Sequence, residues 1–323
     1  MMKVPEFKDL PIRPDAPPKS AWGVFDKDGK RDVYGTLNFI TPEAVVAARM
    51  EIQTGESAVL NLPLHLPYHP DRIGRTKFRH ELIADMFDME ACDDEVTINT
   101  QATSQWDGLM HYADPQRKQY YNGISYEEAA RKRTDRSLGI QSWSERGGIV
   151  ARGVLVDYVR FAERKGITYD PLGSHAISLR EISEILAEQR VKVRPGDILI
   201  VRSGLSKYIR GASPEDRSPF DSAYTHVGVD PTPELLEWLW NHNIAAVAGD
   251  ALAFEAIPAS DGTYQRLHKA CIPGWGMPIG ELFDLERVAA IAEKNQRWTF
   301  FLTASPLNIE GGANTLSNTV AVF

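Results

Sequence analysis

Cysteine is scarce. Only Cys92 and Cys271 occur in 323 residues, far apart and without a CxxC pair. That excludes a disulfide framework, though not one single bridge, and fits a reducing compartment. Long apolar runs are missing as well: nothing approaches the ~18 residues of a membrane span. Met1 to Lys19 is rich in proline and charge and lacks the apolar centre of a signal peptide. Basic runs are absent, and the net charge is −8 at pH 7. A nucleic-acid surface needs clustered Lys and Arg, so that class is set aside. No glycine-rich phosphate or dinucleotide loop stands before a helix. The expectation is a soluble, cytoplasmic protein that acts on a small molecule, with neither nucleic acid nor membrane as partner.

What is present is ordinary globular composition, 43% hydrophobic and 25% charged, in a length that suits one large α/β domain. Residues 1–40 begin proline-rich and then offer Trp22, Phe25 and Tyr34. They read as an arm wrapped on a body formed by residues 41–323. Thr41-Pro42-Glu43 and Thr232-Pro233-Glu234 each open a helix, the second burying Leu235, Leu236, Trp238 and Leu239. Ser125/Glu128 and Ser178/Glu181 are capping boxes, and Asp284 caps a helix through Ile291. Continuous apolar runs at 149–157, 198–201 and 244–248 read as buried central strands. Further strands are expected at 58–64, 95–100, 298–303 and 319–323. Arg72 and Arg75 sit in a charged stretch. They can hold an anionic substrate, but a solvated face is the expectation.

The chemistry concentrates after the strand expected at 95–100, where rigid frames hold reactive side chains. Asp107 and His111 supply a carboxylate and an imidazole. The same pair recurs far along the chain as His268 and Glu281. Two carboxylates with two imidazoles have the composition of a divalent-metal or proton-transfer site. The bland alternative makes Asp107 a turn cap and His111 a core histidine. Asp250 and Glu255 follow the strand at 244–248, a usual place for site residues. Trp106, Tyr112 and Trp275 are candidates to line an aromatic substrate pocket. His65, His69, His175 and His226 have no assigned role and can supply a missing ligand.

Several segments in order resemble the cyclase family of metal-dependent hydrolases, which includes bacterial kynurenine formamidases, isatin hydrolases and some dienelactone hydrolases. They are Gly148-Ile149-Val150-Ala151-Arg152-Gly153-Val154-Leu155-Val156-Asp157, Arg194-Pro195-Gly196-Asp197 with Ile198 to Gly204, Ala248-Gly249-Asp250 with Glu255, Leu267-His268, Pro278 to Leu282, and Ser305 to Ile309. The resemblance implies an α/β fold of the swivelling β/β/α type with a central sheet and peripheral helices, and a homo-oligomer. It also implies metal-activated water attacking a small cyclic or aromatic amide, imide or lactone. The family signature is His-x-x-x-His-x-Asp-x-Pro-x-His. Its aspartate ligand falls on Asp107 and its acid/base histidine on His111. Its two leading histidines fall on Gln101 and Gln105, and its proline on Leu109. The later ligands fall on His268 and Glu281. Exchanging imidazoles for amides makes the set oxygen-rich: Asp107, Glu281 and Gln105, with His268 as the nitrogen. The implied cofactor is one divalent ion, Mn²⁺ or Zn²⁺, and oxygen ligands favour Mn²⁺ or Mg²⁺. Metal-free acid/base chemistry on the same frame and a non-catalytic binding module are the alternatives.

Overall fold

The computed structural model describes residues 4–85, 87, 89–216, 218–222 and 225–323. In chain order its strands are β1 (Ser57–Val59), β2 (Arg79–Ile83), β3 (Asp93–Thr97), β4 (Gln105–Asp107), β5 (Ile149–Asp157), β6 (Ala176–Ile177), β7 (Ile198–Arg202), β8 (Gly228–Val229), β9 (Ala246–Gly249), β10 (Ile279–Glu281), β11 (Thr299–Ala304), β12 (Asn314–Leu316) and β13 (Thr319–Val322). The α-helices are α1 (Pro42–Ala48), α2 (Gln141–Glu145), α3 (Tyr158–Lys165), α4 (Leu179–Glu188), α5 (Leu205–Gly211), α6 (Pro233–Asn241), α7 (Arg266–Lys269) and α8 (Glu286–Asn295).

Nine strands make one mixed sheet in the order β1-β13-β11-β5-β7-β9-β10-β4-β12. Its middle, β5, β7, β9 and β10, is parallel, and its flanks are antiparallel. The parallel strands need long crossovers, which α3 to α6 provide. Helices on the faces explain why β5, β7 and β9 are nearly continuous apolar runs. The result is a single α/β body, as the sequence implies. Among the described residues no helix is long and apolar enough to cross a membrane.

Helix starts follow the sequence signals. Thr41 and Thr232 accept the N–H groups of Ala44 and Leu235, each at 3.3 Å. Ser178 and Glu181 form the reciprocal capping box. Asp284 accepts the Glu286 N–H at 3.4 Å, although Leu285 occupies the cap position and α8 runs on to Asn295. The boxed segment at Ser125 becomes a single π-helical turn, Glu127–Arg131. On α6 it is Trp240 that is fully buried, while Trp238 is half-buried. Two expected strands also change. The one at 58–64 shortens to β1. The one at 95–100 is β3, which pairs with β2 in a hairpin outside the main sheet. Alternation of Val96 with polar residues does not bury it there: Val96 and Leu82 are both exposed.

The N-terminal residues pack into the same core as the sheet, Trp22, Phe25, Leu37 and Phe39 among them. Trp22 donates its indole N–H to Pro273 O at 2.7 Å, and Ala21 N–H reaches Gly274 O at 2.8 Å. Gly35 and Gly276 meet at this seam, both with positive φ. A Cβ on Gly35 would lie 2.2 Å from Gly276 O, so only glycine fits. Two of the quoted sequence marks prove structural. Arg152 on β5 forks onto Asp197 at 2.7 and 2.9 Å and lies 3.6 Å from Glu51, tying the turn before β7 to its neighbours.

Candidate functional site

Three-residue β4 is held between β10 and β12, with Gln105 opposite Glu281 and Asp107 opposite Ile279. Alternation along a strand sends Gln105 and Asp107 to one face and Trp106 to the other. Directly opposed residues touch, and Gln105 Nε2 donates to Glu281 Oε2 at 2.6 Å. Gly108, the next residue, has room for no Cβ: one would lie 2.3 Å from Ala313 O. That close approach keeps the end of β4 against the β12 side.

His268 arrives from α7. Glu255 accepts the N–H groups of Leu267 and His268 at 3.0 and 2.9 Å. It thereby caps the helix start from another segment. The same carboxylate binds His268 Nδ1 at 2.5 Å. This fixes the ring and aims Nε2 at Glu281 Oε1, 3.2 Å away, and Asp107 Oδ2, 3.7 Å away. One ligand atom each from Asp107, His268 and Glu281 lies within 4.8 Å of the others, and all three residues are buried. Gln101 Nε2 donates to Asp107 Oδ1 at 2.5 Å. His111 Nε2 stands 3.9 Å from Asp107 Oδ2, too far for a hydrogen bond, on a partly exposed side chain.

Burial pushes the Asp107 carboxyl up, and the Glu281 carboxylate adds to this, while His111 and His268 pull it down. Burial works against a charged His268. Its bonds to Glu255 and Glu281 outweigh that and lift it well above the usual imidazole range. Two oxygens of these residues, Asp107 Oδ2 and Gln105 Oε1, are buried with no hydrogen-bond partner among the described residues. Orphaned buried acceptors are rare and mark a place where something else binds.

The donors fit one divalent cation. A carboxylate on Nδ1 that turns Nε2 inward is the usual outer support of a ligating histidine. Asp107 and Glu281 would supply oxygens and His268 the nitrogen, with the buried Gln105 carbonyl as a further candidate oxygen. This set suits hard or borderline ions.

Not every candidate is brought here. Trp106 packs edge-on to Phe283 on the opposite face and bonds Thr319 Oγ1, so it belongs to the core. Trp275 packs edge-on to Phe7 and at a tilt to Trp240 and lines a cavity of about 340 Å³ against the N-terminal residues, with no member of the Asp107 cluster in its wall. Both are removed from the substrate-binding set. Tyr112 stays: its ring stands edge-on 6.1 Å from the His268 ring, and it is partly exposed. His65, His69, His175 and His226 are outside the cluster. His69 bonds Pro214 O and His175 bonds the Tyr158 hydroxyl. Asp250 is a structural hub bonded to Ser203, Gly204 and Ser206.

Arg75 is the residue the sequence reading placed wrongly. It is no solvated cation. Its guanidinium donates to Gln101 O and, at 3.2 Å, to Gln101 Oε1. Burial lowers its pKa, against the pull of Glu281 and Asp107. Arg72, beside it in sequence, instead pairs with Asp221 at the surface. Glu255 was visible as an acid after a strand and as one mark of the resemblance, without a role. Its grip on His268 comes from tertiary packing and leaves no local signal.

Comparison with known proteins follows this geometry. A solved structure described as a novel cyclase has 28% identity and a TM-score of 0.80, covering 94% of this chain and 99% of its own. The isatin hydrolase A of Ralstonia solanacearum is 16% identical with a TM-score of 0.56, covering 88% of this chain and 99% of its own. That of Labrenzia aggregata, bound to benzyl benzoate, is 14% identical with a TM-score of 0.55, covering 82% and 93%. These two share the fold. The search of curated proteins finds no match. The family model named Cyclase matches residues 33–256, well over half of the sequence, and the chain therefore belongs to the cyclase family.

Proposed function

We propose that the protein is a metal-dependent hydrolase that opens a small cyclic or aromatic amide, imide or lactone with water. The observation that carries this reading is the convergence of Asp107, His268 and Glu281, with Asp107 Oδ2 buried and without a hydrogen-bond partner among the described residues. A divalent ion held by these residues and Gln105 would lower the pKa of a bound water and polarise the scissile carbonyl. His111 is the general base: its partly exposed imidazole takes the proton of the attacking water, then returns it to the leaving nitrogen or oxygen. Glu255 holds the His268 ring in one orientation throughout. Tyr112, on the exposed side with His111, presents a ring face to a flat substrate. The isatin hydrolases that share the fold act on a substrate of this shape, which agrees with the proposal.

The placing of the His268 ring between Glu255, at 2.5 Å from Nδ1, and Glu281, at 3.2 Å from Nε2, favours a second reading, metal-free acid/base chemistry. Metal content decides between them. Protein purified without added metal is expected to carry a near-stoichiometric divalent ion that His268→Ala loses. Turnover is then sought on lactones, imides and cyclic amides with Mn²⁺ and Zn²⁺. Failure to bind any divalent ion after reconstitution rejects the hydrolase reading in favour of the metal-free one.

A further inference from the structure

We propose that Arg75 is a positioning residue of this site: through Gln101 it sets which way both glutamine amides face and so how the carboxylates are offered to a cation. The inference rests on the metal-binding reading above and concerns residues that reading leaves without a role.

The argument follows from donors and acceptors. A guanidinium only donates. Arg75 occupies both the backbone oxygen and the side-chain oxygen of Gln101. With its oxygen turned to Arg75, Gln101 must send its NH₂ the other way, where it meets Asp107 Oδ1 at 2.5 Å. Gln101 Oε1 also accepts from Gln105 Nε2 at 3.2 Å. The Gln105 NH₂ thus lies between Gln101 Oε1 and Glu281 Oε2. Its carbonyl oxygen is left buried and without a hydrogen-bond partner among the described residues. Reversing Gln101 would set its NH₂ against the guanidinium and the Gln105 NH₂, and its oxygen against the Asp107 carboxylate, three repulsive contacts in place of three bonds.

The chain from Arg75 through Gln101 to Asp107 and Gln105 therefore has one polarity. It uses one oxygen of Asp107 and one of Glu281. What remains for an ion is a single oxygen from each carboxylate, the Gln105 carbonyl and His268 Nε2. Arg75 holds this arrangement although its charge lies close to a cation site, where charge alone would oppose binding.

That conflict of signs makes the test. Removing a nearby positive charge tightens a cation site, whereas removing a positioning group loosens it. Mn²⁺ binding is titrated calorimetrically with the metal-stripped full chain. Arg75→Met is expected to weaken binding by about 10–100-fold, the range for outer-shell groups. Gln101→Met, which keeps the Arg75 charge but cuts the chain, is expected to weaken it similarly. Unchanged or tighter binding in either variant overturns the proposal. A second readout needs no metal. In stripped protein labelled with ¹⁵N-glutamine, the side-chain NH₂ pairs of Gln101 and Gln105 are expected to be shifted and slow to exchange. Arg75→Met should lose these features while its thermal melt stays cooperative. If both pairs keep their shifts and protection, the positioning role is wrong. Where Arg75→Met fails to fold, Gln101→Met alone decides through Mn²⁺ binding and the Gln105 pair. Should the wild type bind no divalent ion, the proposed hydrolase falls, and the NH₂ signals still judge the role of Arg75.

Discussion

Asp107 and Asp250 are both fully buried at the ends of sheet strands, and their surroundings differ completely. Asp250 receives the backbone N–H groups of Ser203, Gly204 and Ser206 and the hydroxyls of Ser203 and Ser206, at 2.5–3.1 Å. Asp107 receives one amide on Oδ1, and its Oδ2 has no hydrogen-bond partner among the described residues. Burial raises the pKa of both carboxyls, but the donors around Asp250 oppose it, whereas Glu281 beside Asp107 adds to it. A satisfied buried carboxylate joins segments together; an unsatisfied one is kept for a partner that the chain does not supply.

The sharpest way to break this contrast is to neutralise the unsatisfied acid. Asp107→Asn is expected to lower turnover by about 10³-fold or more. The metal-free protein should melt no lower than wild type, since a poorly solvated charge has been removed. A lower melting temperature would make Asp107 a second structural hub and end the contrast. His111→Ala should cost about 10²–10⁴ in kcat with an unchanged melt, as loss of a general base does. Retained activity would sink that role.

The opposite behaviour is expected of the satisfied acid. Asp250→Ala strands five donors in the core and should destabilise the protein by about 3–5 kcal/mol, measured by urea unfolding. Glu255 lies between the two cases, since it caps α7 and also orients His268. Glu255→Gln should weaken divalent-ion affinity about 10–100-fold with a small stability loss. The smallest effect is a pH dependence at the start of the same segment. Arg266 and Thr263 hold the exposed Asp261 carboxyl down at about 2, from 3.8. A lowered folded pKa gives stability that is present above 3.8 and lost as pH falls toward about 2. Asp261→Asn should flatten the melting temperature slightly over that window. Equal slopes in both proteins would show that the pair contributes nothing.

Much of the frame was legible because its signals are local. The caps at Thr41, Ser178 and Thr232 and the apolar runs of β5, β7 and β9 need only short-range chemistry. The grouping of Asp107 with His268 and Glu281 came from family resemblance, since no spacing rule joins residues more than 150 positions apart. The misplacements have a common cause. Val96 alternates as a buried strand should, yet lies in an exposed hairpin. Trp106 sits between two site residues, yet strand alternation turns it to the other face. Arg75 stands in a charged stretch, yet one glutamine draws it inward. In each case the deciding contact is to a distant segment, and local pattern cannot report it.

The position of β4 has a consequence for synthesis of the chain. Its neighbours are β10 and β12, so residues 105–107 close their ladders only with residues 279–281 and 314–316. On a ribosome, the acidic cluster cannot be enclosed until translation has passed Leu316 and that stretch has cleared the exit tunnel. For most of its time as a growing polypeptide the molecule thus has no preformed place to capture a metal ion. Such long-range pairing is slow to form, so loading of the proposed ion would belong to the finished fold.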